Sequence, residues 1–171
     1  MIKLGIFIIL SILLLLFTIL RSHRYRFYRF FAFESLLILV ILNSDAWFHD
    51  PFSLVQVISW FFLFCSLILA IHGFWLLRVA GSPNRDIEDT TELVTTGAYR
   101  YIRHPLYGSL FLGGIGAFLK APGIYGLLLL LLLFIFSYLT ARVEEQDNLQ
   151  KFGSEYRAYM EKTKMFIPFL I

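Results

Sequence analysis

An all-α bundle of about five membrane-crossing helices is the fold class this sequence predicts, and three observations carry the prediction. Of the 171 residues, 58% are hydrophobic and only 16% charged, with a mean hydropathy of +0.73, whereas soluble domains hold roughly 25% charged residues. The apolar residues gather in five stretches, each near the ~20 residues a helix needs to cross a bilayer. The basic residues fall in alternate connections between those stretches. The chain is expected to form one integral membrane domain over 1–171. Three spans lie in 1–80, and a ligand-binding loop, a helical hairpin and a C-terminal tail lie in 81–171.

Each predicted helix has its own justification. Residues 4–20 form an apolar run behind Lys3; the next residues, "RSHRYRFYR", are not the small ones suited to signal cleavage, so the run is kept as a span. The second, 30–48, carries Glu34 and Asp45 near its ends, where carboxylates can reach headgroups. The third, 52–79, is long. The fourth, 106–119, is short, and Lys120-Ala121-Pro122-Gly123 turns it into the fifth, 124–141, as a hairpin. Of the 15 Lys and Arg residues, all but Lys3 and Lys120 come after spans one, three and five. By the positive-inside rule these face the cytoplasm, which puts the N-terminus outside and the C-terminal tail inside. The tail residues Leu149, Phe152, Tyr156 and Met160 recur at helical spacing and predict an amphipathic cytoplasmic helix.

The same pattern excludes several classes. The basic side is a topology signal facing anionic lipid, not a nucleic-acid surface. The single Cys65 gives no disulfide framework. "GGIG" at 113–116 lies inside a span, where small residues permit close helix packing. His49 with Asp45 and Asp50 reads as interfacial polarity rather than a metal centre, His72 as a group bonding between helices, and Trp47, Trp60 and Trp75 as interface or packing aromatics.

Chemistry concentrates where spans four and five return to one edge. "RYIRHP" precedes span four and "ARVEEQDNLQKFGSEYRAYM" leaves span five, so the two must meet although about forty residues separate them. Pro105 suits a first helical position. The N–H groups of that helix start, with His104 and the arginines, favour a carboxylate or phosphate. Glu144 and Glu145 stand opposite and favour a cation. A zwitterion with an amino-acid end satisfies both.

The stretches "LVTTGAYRYIRHPLYGS" and "EEQDNLQKFGSEYRAYMEKTKMFIP", with Gly-x-Tyr, Arg-His-Pro-x-Tyr, Glu-Glu and Phe-Gly-x-x-Tyr-x-x-Tyr in that order, resemble the isoprenylcysteine carboxyl methyltransferase and phospholipid methyltransferase family over 73–168. The resemblance implies S-adenosylmethionine as cofactor and a lipophilic methyl acceptor entering from the bilayer. It implies that Val94, Tyr99, Arg103, His104, Pro105, Leu106 and Tyr107 line the cofactor, and that Glu144 binds its amino group. In the family an arginine near the end of span five holds an acceptor carboxylate. Thr140 stands at that position here, with Arg142 two residues later, so Arg142 and Glu145 are the candidate catalytic residues and no metal is implied. The competing resemblance is to NADPH-dependent sterol-type reductases, which also carry Arg-His-Pro-x-Tyr. Those usually show Asn after the Pro and an Asp-Glu pair, where this chain has Leu106 and Glu144-Glu145. A non-catalytic membrane protein of the same fold is the third class.

Overall fold

A computed structural model describes residues 2–19, 25–84 and 89–167. Of the residues invoked above, Leu20, Arg21, Arg24, Arg85 and Pro168 lie outside them. Among the described residues there are six α-helices, α1 (Ile2–Ile19), α2 (Arg26–Leu42), α3 (Leu54–Ala80), α4 (Pro105–Lys120), α5 (Ile124–Phe152) and α6 (Ser154–Lys162), with 3₁₀ turns at Ser44–Ala46 and Gly97–Arg100.

The hairpin of α4 and α5 is the centre of the bundle. α3 lies along α4, α2 lies along α5 and also touches α4, and α1 packs against α2. α4 approaches its neighbours closely because its glycines leave room. A Cβ on Gly116 would stand 2.7 Å from the Leu63 Cγ and 3.0 Å from the Ser59 carbonyl oxygen, and one on Gly114 would stand 2.5 Å from the Leu133 Cδ2. The "GGIG" run thus serves two interfaces, toward α3 and toward α5. Polar cross-links pin the same contacts: the Ser59 hydroxyl donates to the Gly116 carbonyl (2.7 Å), the Ser66 hydroxyl to that of Ser109 (2.8 Å) and the Asn43 amide to that of Ala117 (2.8 Å). In lipid such bonds contribute about 0.6–2 kcal/mol each. Lys120 closes this end of the bundle. Its Nζ donates to Gln56 (3.0 Å) and lies 3.7 Å from the centre of the Trp60 ring, and its carbonyl accepts from the same glutamine.

The outer faces of α3 and α5 are apolar and uncovered: Phe61, Phe64, Leu67 and Ile71 on one, Leu128, Leu131 and Ile135 on the other. Apolar surface of this extent marks contact with another apolar phase. Among the described residues, α3 and α5 are the two helices long and apolar enough to cross a membrane by themselves. α1 is apolar but shorter, and α2 and α4 have 17 and 16 residues. The predicted five crossings therefore reduce to two that meet length and composition alone. α4 is short and its partners are protein: ten of its sixteen residues are buried.

Three boundaries differ from expectation. The second helix starts earlier and stops at Leu42, so Asp45 sits in a 3₁₀ turn and pairs with Lys3. α5 runs eleven residues beyond 141, so Glu144 and Glu145 lie inside a helix rather than at its C-terminal end, where carboxylates would oppose the helix macrodipole. The single amphipathic tail helix is two, because Gly153, at φ +58°, breaks the run between Phe152 and Tyr156. At ~1.5 Å per residue α5 is about 43 Å long, longer than the ~30 Å hydrocarbon core. A helix of that length leaves room for the polar residues after 141 to extend beyond a layer of that thickness.

Candidate active site

The loop after α3 is folded back before α4 begins. The Thr91 amide donates to the Gly81 carbonyl (2.9 Å), and Pro83 bridges to Thr90. Val94 and Tyr99 are then buried against Leu76 and Leu77. Gly97 makes this possible. Its φ is +56°, and a Cβ there would lie 2.6 Å from the Leu76 Cδ1 and 2.7 Å from the His72 Nε2. His72, expected to bond between helices in mid-membrane, instead abuts this turn and stacks on Trp75 at 6.4 Å.

The two motif halves meet through backbone as well as side chains. Residues 101–104 pair with 164–165: the Arg103 amide donates to the Lys164 carbonyl (2.8 Å), the His104 amide to that of Met165 (3.0 Å), and the Lys164 amide to that of Tyr101 (3.2 Å). Ile102 and Lys164 form a parallel bridge. The Arg103 Nε donates to the Glu145 Oε1 (2.6 Å), and its Nη1 donates to the carbonyls of Thr163 and Met160. Arg103 therefore clamps α5 and the tail to the start of α4.

Beside this clamp, Glu144 is 9% exposed and Glu145 5%. The Tyr107 hydroxyl donates to the Glu144 Oε1. His104 stands between the acids, its Nδ1 3.5 Å from the Glu144 Oε2 and its Nε2 3.6 Å from the Glu145 Oε1. Burial pulls its pKa down, but the two adjacent carboxylates outweigh burial and hold it above its ordinary value. His104 occupies the position before α4 without capping it; its ring turns to the acids instead. On α6, burial pushes the phenols of Tyr156 and Tyr159 up, so both stay neutral. The Tyr159 hydroxyl donates to the Tyr99 carbonyl (2.6 Å).

These groups enclose a cavity of about 260 Å³. Of the expected cofactor residues, Val94, Tyr99, Arg103, His104, Leu106, Tyr107 and Glu144 line it. Pro105 lies behind the wall, toward Gly73. Glu145 is also behind it, engaged with Arg103. Arg142 is exposed elsewhere on α5, its guanidinium 6.0 Å from the centre of the Tyr138 ring, and Thr140 is buried with its hydroxyl on the Phe136 carbonyl. The cavity also takes in Arg29, Phe33, Asn148, Phe152 and Tyr159. Asn148 was findable, since it lies one helical turn after Glu144. Arg29 belongs to a buried stripe of α2 with Ala32, Ser35 and Leu39, a spacing legible in the sequence although no motif marks it.

The model of the family described as phospholipid methyltransferase matches residues 54–155, from the start of α3 into α6. The chain belongs to this family. Every cavity residue from Ala70 to Phe152 falls within the matched stretch, which takes in the first motif half and the second as far as Glu155. Among curated relatives, the chain is 30% identical over 118 residues to methanethiol S-methyltransferase 1 of Bradyrhizobium diazoefficiens, covering 67% of this chain and 40% of that protein. It is 25% identical over 145 residues to the nickel-cobalt-cadmium resistance protein NccN of Alcaligenes xylosoxydans xylosoxydans, covering 85% of this chain and 65% of that protein. The chain thus spans less than two thirds of either relative's length. No solved structure matches it.

Proposed function

We propose that this membrane methyltransferase uses S-adenosylmethionine, held in the cavity between α4, α5 and α6, to methylate a lipophilic or small acceptor that reaches it from the bilayer. The observation that carries this reading is Glu144, a buried carboxylate on the cavity wall steadied by Tyr107 and facing His104. The wall fits the donor's parts. Glu144 accepts an ammonium, the rings of Tyr99, Phe152, Tyr156 and Tyr159 offer π faces to a sulfonium and an adenine, and the Nε2 of His104 is a buried nitrogen without a hydrogen-bond partner. When bound, S-adenosylmethionine supplies a methyl carbon on a positively charged sulfur, and the acceptor's lone pair forms the new bond as the carbon–sulfur pair stays with sulfur. The protein's part is alignment and exclusion of water, for which well-oriented partners gain up to about 7–11 kcal/mol. Tyr107 fixes the Glu144 carboxylate, and Arg103 holds the tail closed over the site.

The excess of basic residues on this side of the chain supports a cytoplasmic position for the cavity. The test is ligand binding to detergent-purified protein. S-adenosylmethionine and S-adenosylhomocysteine should bind and raise the melting temperature, and NADPH should do neither. Glu144→Gln keeps the shape but removes a charged partner. It should weaken S-adenosylhomocysteine by roughly ten- to a hundred-fold, equivalent to about 1.5–3 kcal/mol. NADPH binding with no S-adenosyl ligand bound would hand the site to the reductase reading.

A further inference from the structure

The start of α4 is the natural place for a ligand carboxylate, yet that place is already taken by negative charge. His104, at the helix start, has Glu144 and Glu145 on either side of its ring, and Arg103 next to it is committed to Glu145 and to two tail carbonyls. An incoming carboxylate at this spot would meet two acids. A third basic residue of the wall comes from a different helix. Arg29 of α2 is 4% exposed, lies over the Tyr25 ring at 4.6 Å and lines the cavity. Arg29 on α2 and Glu144 on α5 thus bring a cation and an acid to one cavity, on two helices that pack along each other. An α-amino acid presents its ammonium and carboxylate from a single carbon and matches that pair. Arg29 also lies outside the stretch 54–155 that the family model matches.

We propose that Arg29 receives the carboxylate of a ligand's α-amino-acid end while Glu144 receives its ammonium, so that the N-terminal half of the chain completes the ligand site. This rests on the reading of the cavity as an S-adenosyl site. The test is calorimetry on detergent-purified full-length chain with two ligands, S-adenosylhomocysteine and 5′-methylthioadenosine, which lacks the amino-acid end. Arg29→Gln should weaken S-adenosylhomocysteine roughly ten- to a hundred-fold and leave 5′-methylthioadenosine unchanged. Arg29→Lys, which keeps the charge but not the two-pronged geometry, should fall between. If Arg29→Gln does not fold by thermal melt, the ratio of the two affinities in Arg29→Lys carries the test, and it should drop below the wild-type ratio. Unchanged S-adenosylhomocysteine affinity, or equal losses for both ligands, would overturn the assignment. Wild-type protein binding neither ligand would instead remove the S-adenosyl reading itself.

Discussion

The carboxylates beside His104 favour its charged form, and pH should expose the arrangement. His104 has its pKa raised in the folded chain above the ordinary value of 6.5. The stabilisation it contributes is therefore complete below that value and is lost as pH rises through the folded-state pKa. Thermal melts from about pH 6 to pH 9 should show stability falling across that window. His104→Ala should flatten this fall, and a slope that survives the substitution would assign it to another group. Gly97 makes a second residue-scale prediction. Gly97→Ala forces a Cβ into Leu76 and His72 at a positive φ and should cost about 1–3 kcal/mol, read as a lower melting temperature with a weaker S-adenosylhomocysteine affinity. At this scale the sequence foretold much of the wall, since Arg-His-Pro-x-Tyr and Glu-Glu carry their spacing openly. Arg142 was placed by its nearness in sequence to Thr140, and two residues along a helix turn the side chain by about 200°. It is exposed beside Tyr138 as a result. Arg29 looked like a sidedness signal because charge counting cannot tell a buried arginine from a headgroup-facing one.

α4 works as an element because it is thin on two sides. Gly116→Val should wedge α3 away from α4, at a cost of about 1–3 kcal/mol from overpacking. Gly5→Val, where a Cβ meets nothing within 4 Å, serves as the control and should melt like wild type. Equal melting of both variants would mean that the close approach of α3 and α4 is not used. Helix existence was legible from apolar runs, but helix ends were not. The polar residues after 141 ended the predicted span, yet α5 continues because 142–152 have good helix formers and no Gly or Pro until Gly153. That continuation brings Asn148 and Phe152 to the cavity. Hydropathy measures where lipid ends, not where a helix does.

Over the whole molecule, charge asymmetry makes the remaining prediction. A reporter fused after Ile171 should read cytoplasmic, and one fused before Met1 external. Reporters on the same side would mean an even number of crossings. The bundle's order around the α4–α5 hairpin came from the short turn at Ala121–Gly123, whereas the docking of α2 along α5 had no signature. Ridge packing between apolar helices is decided by shape, which a single sequence does not display.

The pairing of residues 101–104 with 164–165 has a consequence for how the protein is made. Synthesis runs from N- to C-terminus, so the acid pair meets Arg103 and His104 as soon as α5 folds onto α4. The segment at Lys164 arrives afterwards. The newborn chain can therefore sit in the bilayer with its charges already matched and its cavity still unlatched. The backbone hydrogen bonds that join the tail to the start of α4 can form only once residues 164–165 have been made. A protease that cut just after Lys162 would return the finished protein to that earlier stage, inserted and charge-paired but open.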